Sequence, residues 1–153
     1  MAILITGGTG FIGSHTVVEL LNIGEEVIIV DNLCNSKLCV LDRIEAITGK
    51  RPIFYKVDLL DRAALAEVFE KHKNIDSVIH FAGLKAVGES VSMPLHYYHN
   101  NLTGTFNLCE EMIAHGIMRI VFRPRRRFTG CLRAFRSRRI SRFRPQIRMA
   151  KPS

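Results

Sequence analysis

Three observations predict an α/β fold for residues 1–122, a doubly wound parallel sheet of about five strands. Short, continuous apolar runs alternate with stretches of helical periodicity. A glycine-rich turn stands where the first run meets the first periodic stretch. The alternation then recurs at regular spacing as far as Phe122. Continuous apolar runs are how strands covered on both faces read, and strands separated by helices imply crossover connections between parallel neighbours.

The elements follow in order. Ala2–Thr6, Ala-Ile-Leu-Ile-Thr, is the first strand, and glycines follow it at once. Residues 13–22 have helical spacing with Val17, Leu20 and Leu21 on one face, and Gly24 is the stop. A strand at 27–30, a helix at 40–47, a strand at 53–57, a helix at 61–71 and a strand at 77–81 continue the pattern. An amphipathic helix at 101–115 ends at Gly116, and Arg119–Phe122 opens a fifth strand.

Beyond Phe122 the pattern stops. Residues 1–122 carry 10 Lys+Arg against 14 Asp+Glu, a balance of −4, whereas residues 123–153 carry 11 Arg, one Lys and no acid. The net charge of +8 therefore belongs to the tail alone. Without period or acid, that tail reads as low-complexity, self-repelling and disordered. At 153 residues and 47% hydrophobic composition, the chain has material for one core and not two. The expected organisation is a partial nucleotide-binding domain at 1–122, an unstructured tail at 123–153, and no substrate domain.

Cys34, Cys39, Cys109 and Cys131 form no C-x-x-C pair, so no metal site is expected, and they read as reduced thiols. Met1 leads straight into a strand without a basic leader, and no apolar run reaches about 18 residues. A cytoplasmic protein without a membrane span is expected.

The chemistry lies in Thr6-Gly7-Gly8-Thr9-Gly10-Phe11-Ile12-Gly13. Between a strand and a helix, Gly7 and Gly10 let backbone N–H groups approach a pyrophosphate, the helix N-terminus supplies partial positive charge, and Gly13 permits close packing of helix on strand. Asp31 ends the second strand 18 residues after Gly13, where an acid accepts hydrogen bonds from a ribose diol and repels a 2′-phosphate. NAD is thereby favoured over NADP. Asp58 is placed either to meet an adenine amino group or to form a turn. Lys85 is either a phosphate or ribose ligand or an ordinary exposed lysine, and His80 taken alone reads as a packed strand residue.

These residues resemble the extended short-chain dehydrogenase/reductase superfamily and, within it, the UDP-glucose 4-epimerases. Thr6 to His15 is similar to the superfamily fingerprint, and Asp31-Asn32-Leu33-Cys34-Asn35-Ser36 to the epimerases' adenosine-side loop. His80-Phe81-Ala82-Gly83-Leu84-Lys85-Ala86-Val87-Gly88-Glu89-Ser90 is the most diagnostic segment, continued by Pro94, Tyr97-Tyr98 and Asn100-Asn101. The resemblance implies NAD contacts at Phe11 and Ile12, at Asp31, Asn32, Leu33, Cys34, Asn35 and Ser36, at Asp58 and Leu59, at Phe81, Ala82, Gly83, Leu84 and Lys85, and at Asn100. It also implies a UDP-sugar substrate, a homodimer, and transient oxidation of the sugar C4 hydroxyl by hydride transfer to bound NAD. Related 4,6-dehydratases and nucleotide-sugar reductases share the fingerprint, and the segment from His80 to Ser90 favours the epimerases.

The family's acid/base machinery is a Tyr-x-x-x-Lys pair and a Ser after the fifth strand. Here Arg123 and Pro124 stand at the Ser-rich turn and no tyrosine follows Tyr98, so no catalytic residue is assigned. The genetic code offers a reason. Joining each codon's third base to the first two of the next lets residues 123–130 encode Ser-Ser-Ala-Thr-Val-Tyr-Gly, and residues 146–153 Asn-Pro-Tyr-Gly-Lys-Thr-Lys. The second string contains Tyr-x-x-x-Lys. The Met149 codon followed by any alanine codon forces Gly, and Gln146 followed by Ile147 forces Asn or Asp. A single-base loss near the Phe122 codon is the expectation. The other reading, a genuine basic arm for nucleic acid on an NAD-binding module, has enough cations. It has few interleaved aromatics, only Phe128, Phe135 and Phe143.

Overall fold

The computed structural model describes residues 1–84 and 87–122. Lys85 and the tail at 123–153, with the disorder and altered frame expected of it, lie outside the described residues.

Five strands, β1 (Ala2–Thr6), β2 (Glu26–Asp31), β3 (Ile53–Lys56), β4 (Ile75–His80) and β5 (Arg119–Phe122), form one sheet in the order β3-β2-β1-β4-β5, with every pairing parallel. The chain builds outward from β1 on one side, then returns to place β4 on the other. Helices α1 (Phe11–Asn22), α2 (Cys39–Thr48), α3 (Arg62–Lys71), α4 (Val87–Ser92), α5 (Pro94–Tyr98) and α6 (Gly104–Ala114) connect the strands, with a π turn at His99–Thr103 between α5 and α6.

Alternation along each strand divides the core into two layers. Leu4, Ile28, Val30 and Val78 pack with Leu65, Val68 and Phe69 of α3 and Leu108 and Met112 of α6. Ile5, Val27 and Ile29 pack on the other face with Val17 and Leu21 of α1 and Leu41 and Ile44 of α2. The continuous apolar runs thus reflect cover on both faces, as the sequence predicts.

Boundaries differ where capping decides them. Asp61 is not the first residue of α3 but its N-cap, accepting from the Ala64 amide at 3.1 Å. Strand β4 begins at Ile75, two residues earlier than expected, and its register against β1 shifts between Ala2 and Ile3, passing over Asp76. The Asp76 carboxylate meets Arg119 of β5 at 3.3 Å. The helix expected at 101–115 begins inside the π turn. Helices α4 and α5 are absent from the sequence reading, each being too short to show a period, although Pro94 at the start of α5 is a favoured first helical residue. Among the described residues no helix is long and apolar enough to cross a membrane, no group of three or more His, Cys, Asp or Glu is arranged to hold a metal, and Cys34, Cys39 and Cys109 are free thiols.

Candidate nucleotide-binding crevice

The C-terminal ends of β1, β2 and β4 open into a crevice of about 420 Å³, at the point where the chain changes direction about β1. Ligands of open α/β sheets bind at such a switch point. The size falls within the ordinary range for small-molecule sites.

The floor is the glycine turn. Gly7 follows β1 with φ of +70°, a left-handed conformation, and a Cβ there would stand 2.7 Å from the Ala82 amide nitrogen. Glycine at this position lets the turn lie against the end of β4. At Gly13 a Cβ would overlap the Gly7 carbonyl oxygen and come within 2.8 Å of the Gly8 Cα, so α1 seats directly on the turn. The N-terminus of α1 has Gly10 as its cap, no side-chain cap bond and no acid in its first turn. Its positive end is left to the crevice, an arrangement suited to a pyrophosphate.

Asp31 forms the wall on the β2 side. Its carboxylate accepts from the Thr9 amide at 3.2 Å, the Leu33 amide at 2.9 Å and the Ser36 hydroxyl at 3.2 Å. Ser36 in turn accepts from the Thr9 hydroxyl at 2.7 Å, which ties the loop after β2 to the glycine turn. Leu33 holds φ of 61°, a costly conformation for leucine, inside the turn its amide makes with Asp31. Asp58 serves both of its readings geometrically. One carboxylate oxygen accepts from the Leu60 amide at 2.9 Å as a turn former, and the other from Asn32 Nδ2 at 2.8 Å while facing the crevice. Burial pushes the Cys34 thiol above its ordinary value, and the Asp31 carboxylate adds to the effect.

The opposite wall follows β4. Gly83, Leu84, Asn100 and Asn101 line it, with His80 and Thr105 behind. Asn101 grips the loop by accepting from the Leu84 amide at 2.8 Å and donating to the Leu84 carbonyl at 3.2 Å.

The structure gathers Gly7, Gly10, Phe11, Ile12, Gly13, Asp31, Asn32, Cys34, Asn35, Ser36, Asp58, Leu59, Phe81, Ala82, Gly83, Leu84 and Asn100 around this one space. Leu33 is not among the lining residues, being spent on the Asp31 turn. The sequence reading placed Thr9 and Asn101 in motifs without giving either a contact, and it missed Thr105. A histidine directly after the apolar pair Val78-Ile79 of β4 is the one signal that a polar partner had to exist nearby.

Known proteins agree with this geometry. The NAD dependent epimerase/dehydratase family model matches residues 3–123. The UDP-glucose 4-epimerase of Bacillus subtilis is 62% identical over 122 residues, and that of Haemophilus influenzae 59% over 122, each match covering 80% of this chain and 36% of the relative. The chain thus spans little more than a third of the length of these curated relatives. Among solved structures, the Bifidobacterium longum UDP-glucose 4-epimerase in complex with NAD+ and UDP superposes with a TM-score of 0.77 at 52% identity, covering 80% of this chain and 36% of that one. The Stenotrophomonas maltophila enzyme with NAD and formylated UDP-arabinopyranose gives 0.76 at 47%, with the same coverage. With that family model matching most of its length, the chain belongs to the NAD dependent epimerase/dehydratase family.

Proposed function

We propose that residues 1–122 are the NAD-binding part of a UDP-glucose 4-epimerase, and that the 153-residue chain is itself an inactive fragment. The observation that carries this reading is the crevice, where an uncapped α1 N-terminus over a glycine turn faces an acid pre-set at the end of β2. These residues fit a dinucleotide. Gly7, Gly10 and the first turn of α1 receive the pyrophosphate, the remaining acceptor capacity of Asp31 takes the adenosine ribose diol, and Asn32 with Asp58 borders the adenine. Gly83, Leu84 and Asn100 border the other end, and the resemblance adds Lys85 to the contacts expected with its ribose or phosphate oxygens. NAD, when bound, supplies hydride acceptance and return at the sugar C4. The proton held in that step needs a base, and the Tyr-x-x-x-Lys pair that the resemblance implies for it does not occur within residues 1–153.

The matches to the relatives run over 120 to 122 residues, and the family model matches residues 3–123. That supports a single-base loss near the Phe122 codon, with the Ser and the Tyr-x-x-x-Lys pair encoded in the alternative frame. Exposed apolar side chains on one stripe of α5, the π turn and α6, namely Leu95, Tyr98, Leu102, Phe106 and Ile113, support a homodimer of the whole protein. The exposed thiols Cys34 and Cys39 suit a reducing, cytosolic setting.

An NMR titration of the chain tests the cofactor reading. NAD should perturb the amides of residues 7–13 and 31–36 with weak affinity, and NADP should perturb them less. No response to NAD at saturating concentration would sink it. Resequencing the DNA around the Phe122 codon tests the frame, and an intact frame through Arg123 to Ser153 refutes that part.

A further inference from the structure

A chain of buried polar side chains ties the central strand to the far wall of the crevice. Thr6 ends β1 fully buried, and its Oγ1 lies 2.6 Å from Nδ1 of His80 at the end of β4, itself only 4% exposed. The other ring nitrogen, Nε2, is 3.1 Å from Oγ1 of Thr105. That hydroxyl donates to the Asn101 carbonyl at 2.7 Å. A threonine hydroxyl has one proton, and a carbonyl only accepts, so toward His80 the Thr105 oxygen can only accept. Nε2 of His80 therefore carries a proton and donates it. In the neutral imidazole Nδ1 then accepts from Thr6, whose oxygen in turn accepts from the Ala82 amide at 3.4 Å.

Direction is thus imposed along the whole chain, and it ends at the residue that grips the loop after β4. The ring plane is held as well, since Phe122 of β5 stacks on it with centroids 5.3 Å apart and 28° between planes. Thr105 and Asn101 flank the junction of the π turn with α6, where the carbonyl bonded by Thr105 also accepts from the Gly104 amide. A buried imidazole is costly unless both nitrogens are satisfied. Here both are.

We propose that His80 is a positioning residue, held as the Nε2–H tautomer between Thr6 and Thr105, which fixes Asn101 and through it the Gly83-Leu84 wall of the crevice opposite Asp31. The consequence for cofactor affinity rests on the dinucleotide reading above, whereas the placement of the wall does not.

The test uses the full 153-residue chain labelled with 15N. Ring correlations should show Nδ1 of His80 as the unprotonated nitrogen, and a proton on Nδ1 in place of Nε2 would overturn the proposal. Amide exchange at Leu84 should quicken about tenfold in Thr105→Val, the loss of one buried hydrogen bond in the relay, and return toward its original rate in Thr105→Ser. The Gly7 and Leu33 amides, bonded to Val30 and Asp31, should keep their rates. Unchanged exchange at Leu84 in a folded Thr105→Val would also overturn it. The tautomer measurement needs no variant and decides the matter if Thr105→Val does not fold. A chain that passes both tests yet ignores NAD would refute the cofactor reading and leave His80's role standing.

Discussion

A single methyl group distinguishes two glycines of this chain. At Gly13 it would strike backbone on two sides, the Gly7 carbonyl and the Gly8 Cα, neither of which can rotate away. At Gly88, in α4, it would meet nothing within 4 Å. Gly13→Ala should therefore cost about 1–3 kcal/mol, the ordinary penalty of overpacking, and Gly88→Ala should be neutral or stabilise by about 0.5 kcal/mol by restricting the unfolded chain. Urea unfolding of the two variants checks the opposite signs. Cys34 offers a second residue-scale expectation. Although the residue is exposed, its thiol is pushed up by partial desolvation first and by Asp31 next. A raised thiol pKa means that the folded state holds its proton longer, so the associated stability is full below the unfolded pKa and is lost as pH rises through the folded one. Because the thiolate is the nucleophile, iodoacetamide should alkylate Cys34 more slowly than it alkylates a free thiol near neutral pH, with the gap closing at alkaline pH. Mass spectrometry of the labelled peptide reads this, and NAD should slow labelling further.

At the scale of elements, two arginines make similar-looking ion pairs with different consequences. Arg51 meets Asp42 and Glu45 of α2 at 3.1 and 2.6 Å with all three side chains well exposed. Arg62, at the start of α3, meets Glu110 and Glu111 of α6, and the Glu111 side chain is only 7% exposed. The hydrogen bond to Glu111 is the main reason the Arg62 guanidinium is raised above its ordinary value. Removing Arg51 leaves solvated carboxylates, whereas removing Arg62 leaves a buried one without its cation. Thermal unfolding should show Arg62→Ala lowering Tm clearly more than Arg51→Ala. Equal shifts would mean that the contact between α3 and α6 does not depend on this pair.

For the whole molecule, the decisive fact is what the crevice has and what it lacks. The glycine turn, Asp31 and the Asn101 wall converge on one space, but no tyrosine follows Tyr98 in the sequence. The purified 153-residue chain should not interconvert UDP-glucose and UDP-galactose in a coupled assay. A gene with one base restored after the Phe122 codon, and read on through the full length of its relatives, should do so. Turnover by the shorter chain would overturn the fragment reading. Strand β5 gives a physical reason to expect poor behaviour besides: among the described residues it stands at the edge of the sheet, with Val121 and Phe122 more than half exposed.

The sequence alone was sufficient for the fold class, for nearly every strand and long helix, and for the glycine turn with Asp31. Each of these rests on local physics: apolar runs, 3.6-residue periodicity, and conformations that only glycine adopts cheaply. It also carried the break at Phe122, because charge composition is legible without coordinates. What only the tertiary structure decided is how polar side chains far apart in the chain satisfy one another. Thr9 meets Ser36, Asn32 meets Asp58, and His80 bridges Thr6 and Thr105, pairings across 25 to 74 residues that no local pattern encodes. Burial makes such partners obligatory, and the folding of β1 beside β2 and β4 determines which ones they are.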